Sequence, residues 1–181
     1  MLEGLKLRLL DRLATRGNYD VSYMKMMLKA SPRGFGRFVS FMKILKHREA
    51  LPLEPFYAAQ LVGTLAEDCG PCTQIVTDMA HGEGMRTAQI AAVLKAEVPA
   101  MSEEVALAYR FARAVIAISS DLEESREAVR ARWGDKGLVE LTFAAQMSRV
   151  IPMVKRGLGY AQDCRQVSVG GEPMWVRQKA A

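Results

Sequence analysis

Apolar residues recur along this chain at steps of three and four, the period of an α-helix. In residues 2–16, Leu2, Leu5, Leu9, Leu10 and Leu13 trace one such stripe, and Gly17-Asn18 supplies a C-terminal stop. Residues 19–29 repeat the pattern through Tyr23, Met26 and Met27. Ser31-Pro32 then ends it and offers an N-cap with proline at the first helical position of a third helix, expected over 33–46. Gly34 and Gly36 weaken the start of that helix. Past the turn at Leu51-Pro52-Leu53-Glu54, the residues Phe56, Ala59, Leu61, Val62, Leu65 and Ala66 make a helix apolar on most sides, which predicts burial.

The second half continues in the same period. Ile75, Val76, Met79 and Ala80 form a stripe that His81-Gly82-Glu83-Gly84 terminates, and residues 85–95 give a short helix closed by Val98-Pro99. Ser102-Glu103-Glu104 reads as an N-cap with acidic first-turn residues, leading into a central helix through Val105, Leu107, Ala108, Phe111, Val115 and Ile118. Asp121 caps an acidic helix that runs to Trp133 and breaks at Gly134-Asp135. Residues 138–150 and 153–162 then give two further helices on either side of Pro152. No period-two run is long enough for a sheet, and only residues 167–175 could form a short hairpin around Gly170-Gly171. The pattern predicts an all-α protein.

Composition narrows the class. With 181 residues, half of them hydrophobic, the chain suits a single all-helical domain over residues 1–181. The apolar runs fall well short of the ~20 residues of a membrane span, and charges interrupt the N-terminus too often for a signal peptide. Residues 1–50 carry 11 Lys+Arg against 4 Asp+Glu, residues 51–130 carry 6 against 12, and residues 131–181 carry 8 against 4. In the basic first third, Lys and Arg are interleaved with Leu, Met and Phe at helical spacing. A solvated helix face explains this more simply than a nucleic-acid site. Three cysteines are far too few for a secreted disulfide scaffold, which points to the cytoplasm.

Two of those cysteines carry the chemistry. In Glu67-Asp68-Cys69-Gly70-Pro71-Cys72 a CxxC pair stands where one helix stops and the next begins. The first-turn N–H groups and the helix dipole favour negative charge there, so a thiolate is stabilised and redox chemistry is the favoured reading. The bland alternatives are two small thiols in a core, or half of a zinc site. A zinc site of the usual kind needs four ligands, and the chain offers one further cysteine, Cys164, read as packing. The eleven methionines are read as core and interface filling, with no metal-ligand spacing. No cofactor or metal is called for.

The residues CGPC match a thioredoxin motif, but such a motif follows a buried strand in a βαβ unit, and here the preceding segment is helical in pattern. An apolar helix, a CxxC opening a second helix, a glycine-closed turn and a short amphipathic helix instead resemble the AhpD-like alkylhydroperoxidase and carboxymuconolactone decarboxylase superfamily. The similarity is clearest over residues 53–94. The run Asp68-Cys69-Gly70-Pro71-Cys72-Thr73-Gln74 looks like an uncharacterised branch of it. The resemblance implies an AhpD-like helical bundle with the CxxC at the N-terminus of a central helix. Residues 1–50 are then a basic N-terminal helical extension, 51–165 the AhpD-like core and 166–181 an irregular tail.

It further implies that Cys72 attacks a hydroperoxide, that Cys69 resolves the sulfenic acid as a disulfide, that a thiol reductant restores the pair, and that the chain assembles as a homo-oligomer. The family's relay histidine and glutamate do not carry over: Val76 and Tyr57 stand at those positions. His81 lies nine residues beyond Cys72, half a revolution away on an ideal helix, so it cannot reach that sulfur. Asp68 is the expected N-cap, Glu67 the candidate proton relay, and Tyr57 either a core tyrosine or a water-binding group. Two other functions are open: a carboxymuconolactone-decarboxylase-like enzyme on the same scaffold, and a non-catalytic redox-sensing interaction module.

Overall fold

A computed structural model describes residues 2–17, 19–160 and 166–175, and within them the chain is an all-α bundle with one short hairpin. Eight helices follow in order: α1 Leu2–Gly17, α2 Ser22–Ala30, α3 Pro32–Met42, α4 Leu53–Ala66, α5 Gly70–Gly82, α6 Thr87–Lys95, α7 Glu103–Ala117 and α8 Leu122–Gly157. A 3-10 turn, Lys43–Lys46, extends α3, and another, Val98–Ala100, precedes α7. Ser31 caps α3 as its sequence predicts, its hydroxyl accepting from the N–H of Gly34 at 3.2 Å with Pro32 at the first position. No described helix is long and apolar enough to cross a membrane.

The centre of the bundle is α4, buried from Pro55 through Thr64 and packed against α5, α6, α7 and α8. Its all-round apolar sequence leaves no solvent face, the reason it could be read as a core helix. The crossing with α8 is close enough to demand glycine. A Cβ on Gly63 would stand 2.0 Å from Ser148 Oγ and 2.3 Å from the carbonyl oxygen of Ala145.

A buried carboxylate ties the entry of α4 to α8. Glu140, fully buried, accepts from the N–H groups of Ala50 (3.0 Å) and Leu51 (3.0 Å), so the turn before α4 is bound to the neighbouring helix by side chain rather than by backbone ladder.

Residues 1–50 build a second, smaller core from Leu10, Val21, Tyr23, Met24, Leu28 and Phe35. Ile151 of α8 and Tyr160, just beyond its end, pack against it, and the Tyr19 hydroxyl donates to Asp78 on α5 at 3.2 Å. The basic N-terminal segment is thus docked on the bundle through α5 and α8.

Two features differ from the sequence-based reading. The helices expected on either side of Pro152 are one: α8 runs through Pro152 to Gly157, and its helical interruption is at Gly134, where φ is +68°. A mid-helix proline costs about 3 kcal/mol. Here it lies on the buried stripe of Leu141, Ala144, Ala145, Ser148 and Pro152, whose burial holds the helix together across it. The second is the tail, expected as irregular over 166–181 with at most a short hairpin over 167–175, and that hairpin forms. Strands β1 Gln166–Val169 and β2 Glu172–Trp175 pair antiparallel around Gly170-Gly171, both at positive φ as a two-residue hairpin turn requires. Val167 and Val169 are buried in the main core, and residues 176–181 lie outside the described ones.

Candidate functional site

The CxxC occupies the junction between α4 and α5. Helix α4 ends at Ala66 with Glu67 as its C-cap, and Asp68 turns the chain in the left-handed region at φ +49°, a conformation aspartate tolerates. The N-cap of α5 is Cys69, not the expected Asp68, because the carbonyl of Cys69 takes the first helical bond, from the N–H of Thr73 at 2.9 Å. The Thr73 hydroxyl donates to the same carbonyl at 3.0 Å. Gly70 and Pro71 fill the first helical positions, where a proline N–H is not needed, and Cys72 follows at the third. Both cysteines are free thiols and both are buried.

The two thiols share one helical turn and differ in acidity. The neighbouring Cys72 thiol does most to hold Cys69 down, to about 7. The Cys72 N–H and the charges of Lys155 and Arg156 act the same way, against the opposing effect of burial. Cys72 is pushed up, first by its contact with Cys69, then by burial. In this geometry Cys69 is the thiol that ionises first, whereas the family resemblance gives Cys72 the attacking role.

Glu67 is buried beside the pair and held by α8. Its carboxylate accepts from Arg149 Nε at 2.8 Å and Nη2 at 2.7 Å, and from Arg156 Nη1 at 3.1 Å, while Arg156 Nη2 donates to the Glu67 carbonyl at 2.6 Å. These bonds lock the end of α4 onto α8, and they occupy the oxygens that a proton relay would use.

The two positions at which the sequence resemblance would place a relay, 57 and 76, hold no free proton-handling group. Val76 is buried, and Tyr57 packs edge-on to Phe56 at 5.4 Å between ring centroids. The Tyr57 phenol is held protonated by burial first and by the adjacent Glu83 carboxylate second. His81 is exposed in the last turn of α5. Cys164 lies outside the described residues.

Three features of the site escaped the sequence. Lys155 of α8 is 3% exposed, with its ammonium 5.5 Å over the Tyr23 ring. Its place on the 141–144–148–152 stripe marks it as core-facing once α8 is known to continue past Pro152. Gln74, two residues after Cys72, clamps the hairpin: its Nε2 donates to the Ser168 carbonyl at 2.9 Å and its Oε1 accepts from the Ser168 N–H at 2.7 Å. Thr77, also on α5, keeps a buried hydroxyl with no hydrogen-bond partner among the described residues. No group of three or more His, Cys, Asp and Glu side chains suited to a metal ion occurs among the described residues.

Chemically, the arrangement supplies one ionisable sulfur, a second sulfur on the same helical turn, and two cations. A comparison of the chain with protein-family models, with curated proteins and with solved structures finds no match in any of the three.

Proposed function

We propose that this protein is a thiol-disulfide redox protein in which Cys69 and Cys72 cycle between dithiol and disulfide, with an organic hydroperoxide as the oxidant. The observation that carries the reading is the pair of buried free thiols at the N-terminus of α5, Cys69 at the N-cap and Cys72 in the first turn, a helix start that favours thiolate. Thiolate attack on the peroxide forms an S–O bond and breaks the O–O bond. The leaving alkoxide takes a proton to become the alcohol, and the sulfur is left as a sulfenic acid. The second thiol then displaces hydroxide as water to close the disulfide, and an external dithiol restores the pair while becoming a disulfide itself.

The acidity of Cys69 favours that residue as the attacking sulfur and Cys72 as the resolving one, the reverse of the order that the resemblance to the AhpD-like alkylhydroperoxidases implies. That resemblance and the all-helical setting of the CxxC support the same class of chemistry. Residence in the cytoplasm and assembly into a homo-oligomer belong to the same proposal. Glu67, anchored by Arg149 and Arg156, fits better as a positioning residue for the α4–α5 junction than as the relay.

The test is hydroperoxide consumption with dithiothreitol as reductant. Wild-type protein turns over, and both Cys69→Ser and Cys72→Ser abolish turnover. Cys69→Ser also abolishes sulfenic acid trapping by dimedone, whereas Cys72→Ser accumulates the trapped adduct at Cys69. Turnover that survives either substitution contradicts the reading.

A further inference from the structure

The core-facing stripe of α8 is apolar or small at Leu141, Ala144, Ala145 and Pro152, and then places a lysine, Lys155, at 3% exposure. Burying an ammonium is expensive, and it persists only where other groups compensate. The Tyr23 ring, 5.5 Å from Nζ, gives a cation–π contact that recovers only part of such a penalty. None of the ion pairs among the described residues includes Lys155. Asp20, a carboxylate that senses Lys155, is only partly buried, and its Oδ1 accepts from the Ser22 N–H at 2.9 Å.

The last turns of α8 reach the start of α5 through Arg156, whose Nη2 donates to the Glu67 carbonyl, two residues before Cys69, at 2.6 Å. Three elements converge: α2 brings Tyr23, the start of α5 brings Cys69 and Cys72, and the last turns of α8 bring Lys155 and Arg156. Tyr23 feels both sulfurs, and both sulfurs feel Lys155. Arg156, one residue on, is already committed to Glu67. Lys25 on α2 pairs with Asp11 at 2.5 Å. Of the two cations that act on Cys69, Lys155 is the one that no ion pair among the described residues engages.

We propose that Lys155, buried on the core face of α8 against the Tyr23 ring, is the charge partner that holds the thiolate of the Cys69–Cys72 pair, with Tyr23 fixing its position. The proposal rests on the dithiol reading above and adds to it a positioning residue on a helix far away in sequence. It also gives the N-terminal segment a role, since α2 carries the ring that seats the lysine. Loss of the thiolate on disulfide formation leaves the ammonium without its partner, so Lys155 favours the reduced state and makes the pair a stronger oxidant.

The experiment is mass-resolved iodoacetamide alkylation of Cys69 against pH in the full chain, alongside the reduction potential of the pair. Lys155→Met is expected to raise the alkylation midpoint by about one pH unit, roughly a tenfold loss of thiolate at neutral pH, and to make the pair more reducing. Lys155→Arg keeps the charge and stays near the wild-type midpoint. If Lys155→Met does not fold, Lys155→Gln carries the same comparison.

A midpoint and potential unchanged in the uncharged variants overturn the proposal, and so does an equal shift in Lys155→Arg, which would mark a packing role. If wild type forms the disulfide while Lys155→Met leaves midpoint and potential as they were, the lysine assignment fails alone. If wild type forms no disulfide under hydroperoxide, the dithiol reading fails and the lysine proposal falls with it.

Discussion

Cys69 caps α5 and Cys72 stands three residues later in the same turn, yet the first thiol is held down to about 7 while the second is pushed up. Each sulfur sets the other's acidity: the Cys72 S–H beside Cys69 favours negative charge there, and a thiolate at Cys69 disfavours a second charge at Cys72. The pair therefore behaves as one site with one readily lost proton.

Alkylation should read that asymmetry directly. Cys69 is expected to react with iodoacetamide with a midpoint near pH 7, and Cys72 to stay unmodified until far more alkaline conditions. The sign for stability follows. The folded Cys69 ionises below the ordinary thiol value, so its contribution is fully present above that value and disappears as pH falls through about 7. Urea melts at a series of pH values check it as stability rising with pH over the window between about 7 and the ordinary thiol range.

Cys72→Ala removes the largest cause of the low Cys69 value. The Cys69 midpoint is expected to climb toward the free-thiol value of about 8.5. Cys72→Ser, whose hydroxyl can still donate, should climb less. The same alkylation assay decides between the two, and a midpoint unmoved in Cys72→Ala contradicts the assignment.

Much of this fold was legible because helical periodicity survives in single sequences. The Ser31-Pro32 cap, the all-round apolar α4 and the CxxC at a helix start were all readable from local chemistry. What was not legible depends on contacts far apart in the chain. Pro152 reads as a breaker because a proline's local cost is visible in sequence, while the burial of the α8 stripe that offsets it is not. Asp68 looks like the better cap, but the chain turns through it in the left-handed region and passes the cap to Cys69. Glu67 reads as a free carboxylate because its arginine partners lie 82 and 89 residues away. Lys155 was hidden for the same reason: nothing near it in sequence announces that α8 delivers it into the core.

The α4–α8 crossing gives a packing prediction. Gly63→Ala forces a methyl into the Ala145 carbonyl and Ser148 hydroxyl and should destabilise by about 1–3 kcal/mol. Gly36→Ala, in α3 with nothing within 4 Å of its Cβ, should instead stabilise by about 0.5–1 kcal/mol. Chemical denaturation of the two variants beside wild type distinguishes a tight crossing from a general intolerance of alanine.

The most direct measurement is peptide-mapped intact mass after one equivalent of organic hydroperoxide. The account predicts loss of two hydrogens per chain, a Cys69–Cys72 crosslink in the digest, and full return to the dithiol on adding dithiothreitol. A chain that keeps both thiols, or that oxidises without linking them to each other, contradicts it.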